Sequence, residues 1–415
     1  MADKTMRGDR LHIAIFGRRN AGKSSLINAM TGQPVAIVSD VPGTTTDPVF
    51  KSLEFQPLGP VVLIDTAGID DRAEGLGAER VKKAAAVLEK SDLALLVVDS
   101  GTVDFAYEDE LLERFRSRSI PVIVIANKSD LADRSDREWF ADKPCVRVSA
   151  LTGKGMEELR QRILEVAPSQ WEPPFLRDLL QPGDIVVLVM PIDTGAPKGR
   201  LIMPQVKALR DALDAGAMPL SCRESELQSA LDSLQSKPAL VVTDSQAFTL
   251  VARIVPDDVL LTSFSILSAR QKGDLPSLVA GVLALPSLRS GDKVLIAESC
   301  SHHPLQDDIG RIKLPRWLNE YVGGGLHVDT VPGSSYPEDL SSYRLVVHCG
   351  ACTLNRREML RRQELPARAG VPMTNYGVLI AFLKNVFPRA LRPFPELYAR
   401  YEKSSWPPGP ARAGV

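Results

Sequence analysis

Apolar runs of strand length recur through the first third of the chain, separated by stretches with helical periodicity. LHIAIFG is followed by KSSLINAM, VVLIDTAG and ERVKKAAAVLEK, and then by LALLVVDS, PVIVIANKSD and PCVRVSA. Continuous apolar strands alternating with amphipathic helices predict a parallel sheet covered on both faces. Polar motifs stand at the C-terminal ends of these strands, where open α/β sheets bind ligands. MEELRQRILEVA reads as the closing helix, and the Pro-rich stretch APSQWEPPFLRDLLQPGD predicts a linker near residues 168–183. DIVVLVMPI and PALVVTD then frame helix-like PQVKALRDALDAG and SELQSALDSL, a second α/β unit. GDKVLIAESC and YRLVVHCGAC open a third, with its boundary near residue 275. The expected organisation is therefore α/β throughout, with units at 10–168, 184–274 and 275–403. The tail from about Ser404 is expected to be loosely packed, and no internal repeat is visible in the sequence.

Composition narrows this picture only at the edges. A 415-residue chain exceeds one ordinary core. Its hydrophobic fraction of 44% and charged fraction of 24% are those of a globular protein. A net charge of −1 gives no reason to expect broad attraction to nucleic acid or membranes. No apolar run approaches the roughly eighteen residues of a membrane span, and MADKTMRGDR lacks the apolar stretch of a secretory signal. A cytoplasmic location is the expectation. Five cysteines (Cys145, Cys222, Cys300, Cys349, Cys352) in a reducing compartment turn attention from disulfides to metals.

The strand-end motifs carry specific chemistry. Gly17-Arg-Arg-Asn20-Ala21-Gly22-Lys23-Ser24 fits G-x-x-x-x-G-K-[ST] between a strand and a helix that continues through Ser25. Its backbone N–H groups can wrap phosphates at a helix N-terminus. Lys23 would reach the β- and γ-phosphates and the Ser24 hydroxyl would bind Mg²⁺. Asp65-Thr66-Ala67-Gly68 places a carboxylate near Mg²⁺ and the Gly68 N–H near the γ-phosphate. In Asn127-Lys128-Ser129-Asp130 the Asp130 carboxylate can accept from N1–H and the exocyclic amine of guanine, a pattern adenine does not offer. Ser149-Ala150-Leu151 supplies a backbone N–H to the guanine oxygen. Together the four motifs predict a P-loop GTPase domain, followed by two smaller α/β domains. Between the first two motifs, the loop Asp40–Asp47 holds Thr44 and Thr45, and Thr45 is the candidate to close over Mg²⁺ and the γ-phosphate.

These loops resemble the translation-factor-related GTPases that include Era and the tRNA-modifying MnmE proteins. Ile69 stands where Ras-type proteins have the glutamine that orients attacking water. Asn20 occupies the phosphate-loop position that, in the MnmE branch, helps bind a K⁺ ion in place of an arginine finger. The resemblance implies slow GTP hydrolysis stimulated by K⁺; a plain loop role for Asn20 is the alternative.

A second constellation lies near the C-terminus: Cys300-Ser301-His302-His303 and His348-Cys349-Gly350-Ala351-Cys352, each following an apolar run. The two-residue gap between Cys349 and Cys352 lets both thiolates bind one metal centre, and Cys300 makes a third soft ligand. Ligand chemistry alone leaves structural zinc and an iron–sulfur cluster open. A thiol–disulfide pair is a weaker alternative, and buried small hydrophobes the blandest. Cys145, Cys222, His303 and His327 read as packing or surface residues. The arginine-rich segment RREMLRRQELPARAG reads as a solvated helix face or, less favourably, a docking face for an acidic partner.

An Era-like GTPase followed by a C-x-H…H-C-x-x-C arrangement resembles the HydF family of [FeFe]-hydrogenase maturation GTPases over nearly the whole chain. That resemblance implies a [4Fe–4S] cluster on Cys300, Cys349 and Cys352, with His302, His348 or Asp307 as alternatives for the fourth position. It further implies a homodimerising middle domain and a diiron precursor as cargo. The implied partners are two radical-SAM maturases and the apo-hydrogenase. An RNA- or ribosome-associated GTPase with a structural zinc site is the competing class. Gly323-Gly-Gly325 does not give the basic GXXG context such a protein would show.

Overall fold

Alternate residues of the first apolar run leave its strand on opposite faces, and each face is covered. Ile13 and Ile15 join Leu26, Leu159 and Ile163 in one core, while Ala14 and Phe16 join Leu111 and Phe115 in another. A strand buried on both sides has no polar alternation. The computed structural model describes residues 7–32, 48–66, 86–131, 138–168, 173–192, 201–299, 308–333, 336–337 and 339–402. The chain divides into two units, Met1–Trp171 and Glu172–Val415.

In the first unit β1 (Leu11–Phe16), β2 (Val49–Phe55), β3 (Gly59–Asp65), β4 (Leu93–Asp99), β5 (Val122–Asn127) and β6 (Cys145–Arg147) form one sheet in the order β2-β3-β1-β4-β5-β6. Helices α1 (Lys23–Thr31), α2 (Ala106–Ser117), α3 (Glu138–Ala141) and α4 (Met156–Val166) accompany it. The expected parallel sheet is mixed at one edge, because β2 runs antiparallel to β3. β2 is also the strand of this unit with charged residues interleaved among apolar ones, as a half-exposed edge requires. The strand order steps across β1 between β3 and β4, so the loop after β1 lies at the switch point where such sheets open a crevice.

The second unit holds two four-stranded sheets. One comprises β7 (Ile185–Val189), β8 (Met218–Cys222), β9 (Leu240–Thr243) and β10 (Leu260–Ser263) in the order β10-β9-β7-β8. The other comprises β11 (Lys293–Ala297), β12 (His327–Val331), β13 (Leu345–His348) and β14 (Met373–Asn375) in the order β12-β11-β13-β14. Read from its other edge, the second sheet repeats the first strand for strand, and every pairing in both is parallel. α5 (Met203–Asp214), α6 (Leu227–Asp232), α7 (Phe248–Ile254) and α8 (Phe264–Lys272) belong to the first sheet's stretch of chain, and α9 (Leu275–Val282) packs on β14 of the second sheet. α10 (Leu314–Val322), α11 (Arg356–Arg368), α12 (Tyr376–Leu383) and α13 (Phe387–Leu391) follow. No repeat is visible in the sequence, yet the topology has one. Strand order survives changes of side chain as long as apolar runs stay apolar, so the duplication is legible in pairing and hidden in composition.

The two halves share one core. β10 and β14 each hand over to a helix capped by their last residue: Ser263 Oγ accepts Ile266 N–H at 3.2 Å and Asn375 Oδ1 accepts Val378 N–H at 3.0 Å. The helices that follow, α8 and α12, pack on each other with Gly377 against Ser265. α12 is buried from Gly377 to Leu383, and each large apolar side chain so covered contributes roughly 1.5–3 kcal/mol.

Candidate functional site

The nucleotide motifs converge at the crevice after β1. Gly17 has φ +143°, and a Cβ there would lie 2.1 Å from the Val97 carbonyl oxygen, so the loop passes β4 at a distance only glycine permits. Asn20 and Gly22 also carry positive φ. Lys23, buried, donates from Nζ to the carbonyl oxygens of Gly17 at 2.5 Å and Arg18 at 3.1 Å, spanning the loop from beneath. The Ser24 hydroxyl donates to Asp65 Oδ2 at 3.1 Å. The two side chains expected at Mg²⁺, one opening α1 and one closing β3, therefore meet.

The base-reading motifs are tied to the same loop. Asn127 donates from Nδ2 to the Ala21 carbonyl at 2.8 Å and accepts Ala150 N–H on Oδ1 at 3.1 Å. One buried amide thus joins the phosphate loop to the Ser149-Ala150-Leu151 turn. Ser149 Oγ donates to Asp130 Oδ1 at 2.5 Å, fixing the carboxylate. Lys128, at φ +62°, pairs through Nζ with Asp99 Oδ2 at 2.9 Å. Burial works against the charge of Asp99, but hydrogen bonds from Lys128 and the Gly101 N–H outweigh it and hold its carboxyl below the usual range. Leu151 is exposed beside this turn. A cleft of about 360 Å³ opens between Asn20, Ala21, Asp99 and Lys128. Ser25 is the third residue of α1, whereas Thr44, Thr45 and Gly68 fall outside the described residues.

Arg18 fills an unspecified position of the phosphate-loop motif. Its guanidinium pairs with Glu108 of α2 at 2.8 and 2.9 Å and donates to the Asp104 carbonyl at 2.7 Å. The Glu108 side chain is 1% exposed. No motif signals this pair, because the partners stand ninety positions apart in the chain.

The cysteine motif opens where β13 ends. Cys349 donates its N–H to Ala297 O at 2.9 Å, and its sulfur accepts the Ser299 N–H at 3.1 Å with the Ser299 hydroxyl also at 3.1 Å. Hydrogen bonds to sulfur favour the thiolate, the form that binds metal. Ala351 takes φ +53° to turn the loop, and Thr353 Oγ1 ties it to Ser299 O at 3.0 Å. Cys352 follows, half-buried. Asn355 Oδ1 then caps α11 by accepting Glu358 N–H at 3.0 Å. Cys300, His302, His303 and Asp307 lie outside the described residues. Among the described residues no three His, Cys, Asp or Glu side chains gather at one point. Asp308 caps the helical turn that follows it, accepting Arg311 N–H at 2.8 Å.

His348 stands apart from the ligand role considered for it. It is fully buried, with Nδ1 2.9 Å from the Cys349 carbonyl and Nε2 3.2 Å from Arg362 Nη1. A guanidinium only donates, so Nε2 accepts, Nδ1 carries the proton, and neither nitrogen has a lone pair left for a metal. Burial first, and the Arg362 charge second, push its pKa down to about 3. The arginine-rich segment is correspondingly not a wholly solvated face: Arg362 is buried under Tyr336 and against His348, and Arg356 points into the fold, while Arg361 and Arg368 are exposed. Cys145 and Cys222 are half-buried, and burial pushes the Cys222 thiol up.

Comparison with known proteins gives three successive matches along the chain. Residues 12–128 match the 50S ribosome-binding GTPase family. Residues 175–273 match the hydrogen maturase F dimerization domain and 276–393 the hydrogen maturase F tetramerization domain. Curated relatives include the tRNA modification GTPases MnmE of Nitrosomonas europaea, 37% identical over 158 residues, and Moorella thermoacetica, 43% identical over 168 residues. GTPase Der of Wolinella succinogenes is 38% identical over 172 residues. Each match covers 38% of this chain, and the chain spans about a third of these relatives' length (35–36%). Among solved structures, the G domain of the T. maritima FeoB iron transporter is 30% identical, covering 38% of this chain and 99% of its own, at a TM-score of 0.30. At that score the likeness adds nothing to the fold already described.

Sheet order, phosphate loop and base-reading motifs define a P-loop GTPase, which binds GTP with Mg²⁺ and hydrolyses it, joined to two further α/β domains. Those two domains settle which GTPase. The chain belongs to the hydrogen maturase F family of hydrogenase maturation GTPases, and it carries that family's oligomer-forming domains. Among the described residues no helix is long and apolar enough to cross a membrane.

Proposed function

We propose that the protein is an iron–sulfur scaffold that carries a diiron subcluster precursor and delivers it to apo [FeFe]-hydrogenase under the control of its GTPase. Cys300, Cys349 and Cys352 would hold a [4Fe–4S] cluster, with His302 or Asp307 at the fourth position. The Cys349 loop carries this reading: a cysteine at a strand end, its sulfur held by an N–H and a hydroxyl, three residues before a second cysteine. Such bonds to sulfur are a feature of iron–sulfur sites. In the domain division 10–168, 184–274 and 275–403, the middle domain would supply the homodimer contact. Two radical-SAM maturases would load the precursor.

At the nucleotide site Lys23 would hold the β- and γ-phosphates, and Ser24 and Thr45 would bind Mg²⁺ with Asp65 close by. The Gly68 N–H would meet the γ-phosphate, and Asn20 would bind K⁺. Gly17, Ala21, Gly22 and Ser25 line the phosphate side. Asn127, Lys128, Asp130, Ser149, Ala150 and Leu151 surround the base. Exchanging K⁺ for Na⁺ should slow hydrolysis, and equal rates would remove Asn20 from this role.

The deciding experiment is anaerobic purification with iron, sulfide and zinc analysis, followed by EPR after reduction. About four irons and four sulfides per chain, lost in Cys349→Ser, are expected. Stoichiometric zinc with no iron after reconstitution would sink the scaffold reading and leave a GTPase with a structural metal site.

A further inference from the structure

The last turn of α8, Arg270–Gly273, is held from two directions. One is the segment that enters the second unit from the GTPase side of the sequence. Gln271 donates from Nε2 to Pro173 O at 3.2 Å, and the Arg270 guanidinium pairs with the Asp178 carboxylate, one contact at 3.0 Å. Lys207 of α5 fixes Gln271 by donating to its Oε1 at 2.8 Å. Asp211 of the same helix accepts the N–H groups of Leu176 and Arg177 at 2.7 and 2.8 Å.

The other direction is the cysteine loop. Arg356 Nη1 lies 2.6 Å from Gln271 O, 2.9 Å from Gly273 O and 3.4 Å from Arg270 O. Lys272, buried, donates from Nζ to Leu354 O at 2.6 Å. Leu354 in turn donates its N–H to Ala351 O, inside the Cys349–Cys352 turn. The last carbonyls of a helix have no donor of their own and carry partial negative charge, so a guanidinium set over them is favoured both as donor and as charge. Arginine stays charged under all conditions of interest, which makes the clamp independent of pH.

We propose that this turn of α8 couples the 173–178 segment to the cysteine loop, with Arg356 and Lys272 as positioning residues for Cys349 and Cys352. Arg270 and Gln271 serve both contacts, with Lys272 and Gly273 next to them in the same turn, so a displacement of the segment at Asp178 or Pro173 shifts the carbonyls on which Arg356 rests. Packed interiors respond to such shifts by moving between arrangements rather than stretching. Contiguity alone does not demonstrate coupling, so the test measures one end while changing the other. The functional value of the coupling rests on the cluster reading above, but its test needs no metal.

The full-length chain, freed of metal, is treated with iodoacetamide, and labelling of Cys349 and Cys352 is timed by peptide mass spectrometry. Cys145 and Cys222 serve as internal references. Arg356→Met should raise the labelling rate of the pair several-fold, with Arg356→Lys in between. Asp178→Asn, a surface change remote from the thiols in sequence, should raise it in the same direction. The double variant should label no faster than the faster single one, as expected for residues in one network. Native rates in Asp178→Asn would reduce the turn to a local brace and overturn the coupling. Native rates in Arg356→Met would overturn the positioning role. Faster labelling at Cys145 and Cys222 as well would mean general loosening and would also overturn it. A chain that never accepts iron would defeat the scaffold reading and leave this result standing.

Discussion

Ser149 Oγ donates to Asp130 Oδ1, which fixes the orientation of the carboxylate proposed to read the base. Asp130→Asn replaces an acceptor with a donor and should shift preference from GTP toward xanthosine triphosphate. Two charge-assisted hydrogen bonds at ~1.5 kcal/mol each correspond to about a hundredfold loss for GTP. Competition binding with the two nucleotides measures it, and unchanged GTP preference would refute the base contact. Arg18→Met tests the pair that joins the phosphate loop to α2. It leaves Glu108 buried without its guanidinium, and thermal unfolding should show a loss of about 1–3 kcal/mol, less than for a wholly buried pair because Arg18 is partly in water. Glu108→Gln in the same background should recover part of that loss. If it recovers none, the buried charge is not the cause. At this scale the sequence was readable wherever a motif compresses a site into a few consecutive residues. Ser24 and Asp65 lie within hydrogen-bond reach, as do Asn127 and Ala150. Arg18–Glu108 and His348–Arg362 were hidden because each joins residues whose partnership depends on the fold.

Among the elements, apolar runs marked β1, β3, β4, β5, β7, β9, β11 and β13 plainly, since strands covered on both faces carry no polar interruption. β2, β8 and β12 lie at sheet edges and mix polar with apolar positions, so their pattern merges with that of loops. The arginine-rich helix α11 was ambiguous for a different reason. Arginine reads as solvent-facing by composition, whereas Arg356 caps α8. Arg389 of α13 likewise reaches the carbonyls of Ala252, Val255 and Pro256 behind α7. A guanidinium that closes a helix end looks, in sequence, like any surface cation. Packing is close where α9 crosses β14: a Cβ on Gly281 would lie 1.8 Å from Met373 O, the shortest such approach among the described glycines. Gly281→Ala should therefore destabilise the second unit by roughly 1–3 kcal/mol through forced backbone displacement. A denaturant midpoint equal to the parent's would show that the helix can move aside without cost.

For the whole molecule, the separation into 1–171 and 172–415 predicts that the first segment carries its own activity. Expressed alone, residues 1–171 should bind GTP and unfold in one cooperative transition whose midpoint rises with nucleotide. A fragment that is folded but indifferent to GTP would mean the site needs the remainder of the chain.

The remainder has a property that follows from its repeated strand order. Two sheets of the same topology, built in succession from apolar strands, offer each strand a second plausible seat during folding. Parallel sheets form slowly because their partners are distant in sequence, and repeat proteins are prone to misassembly between copies. At high concentration an early half from one molecule can lodge against a late half from another. Refolding yield from denaturant should thus fall as chain concentration rises, with interlocked dimers among the products. The duplication that supplies two platforms also makes the nascent chain its own competitor.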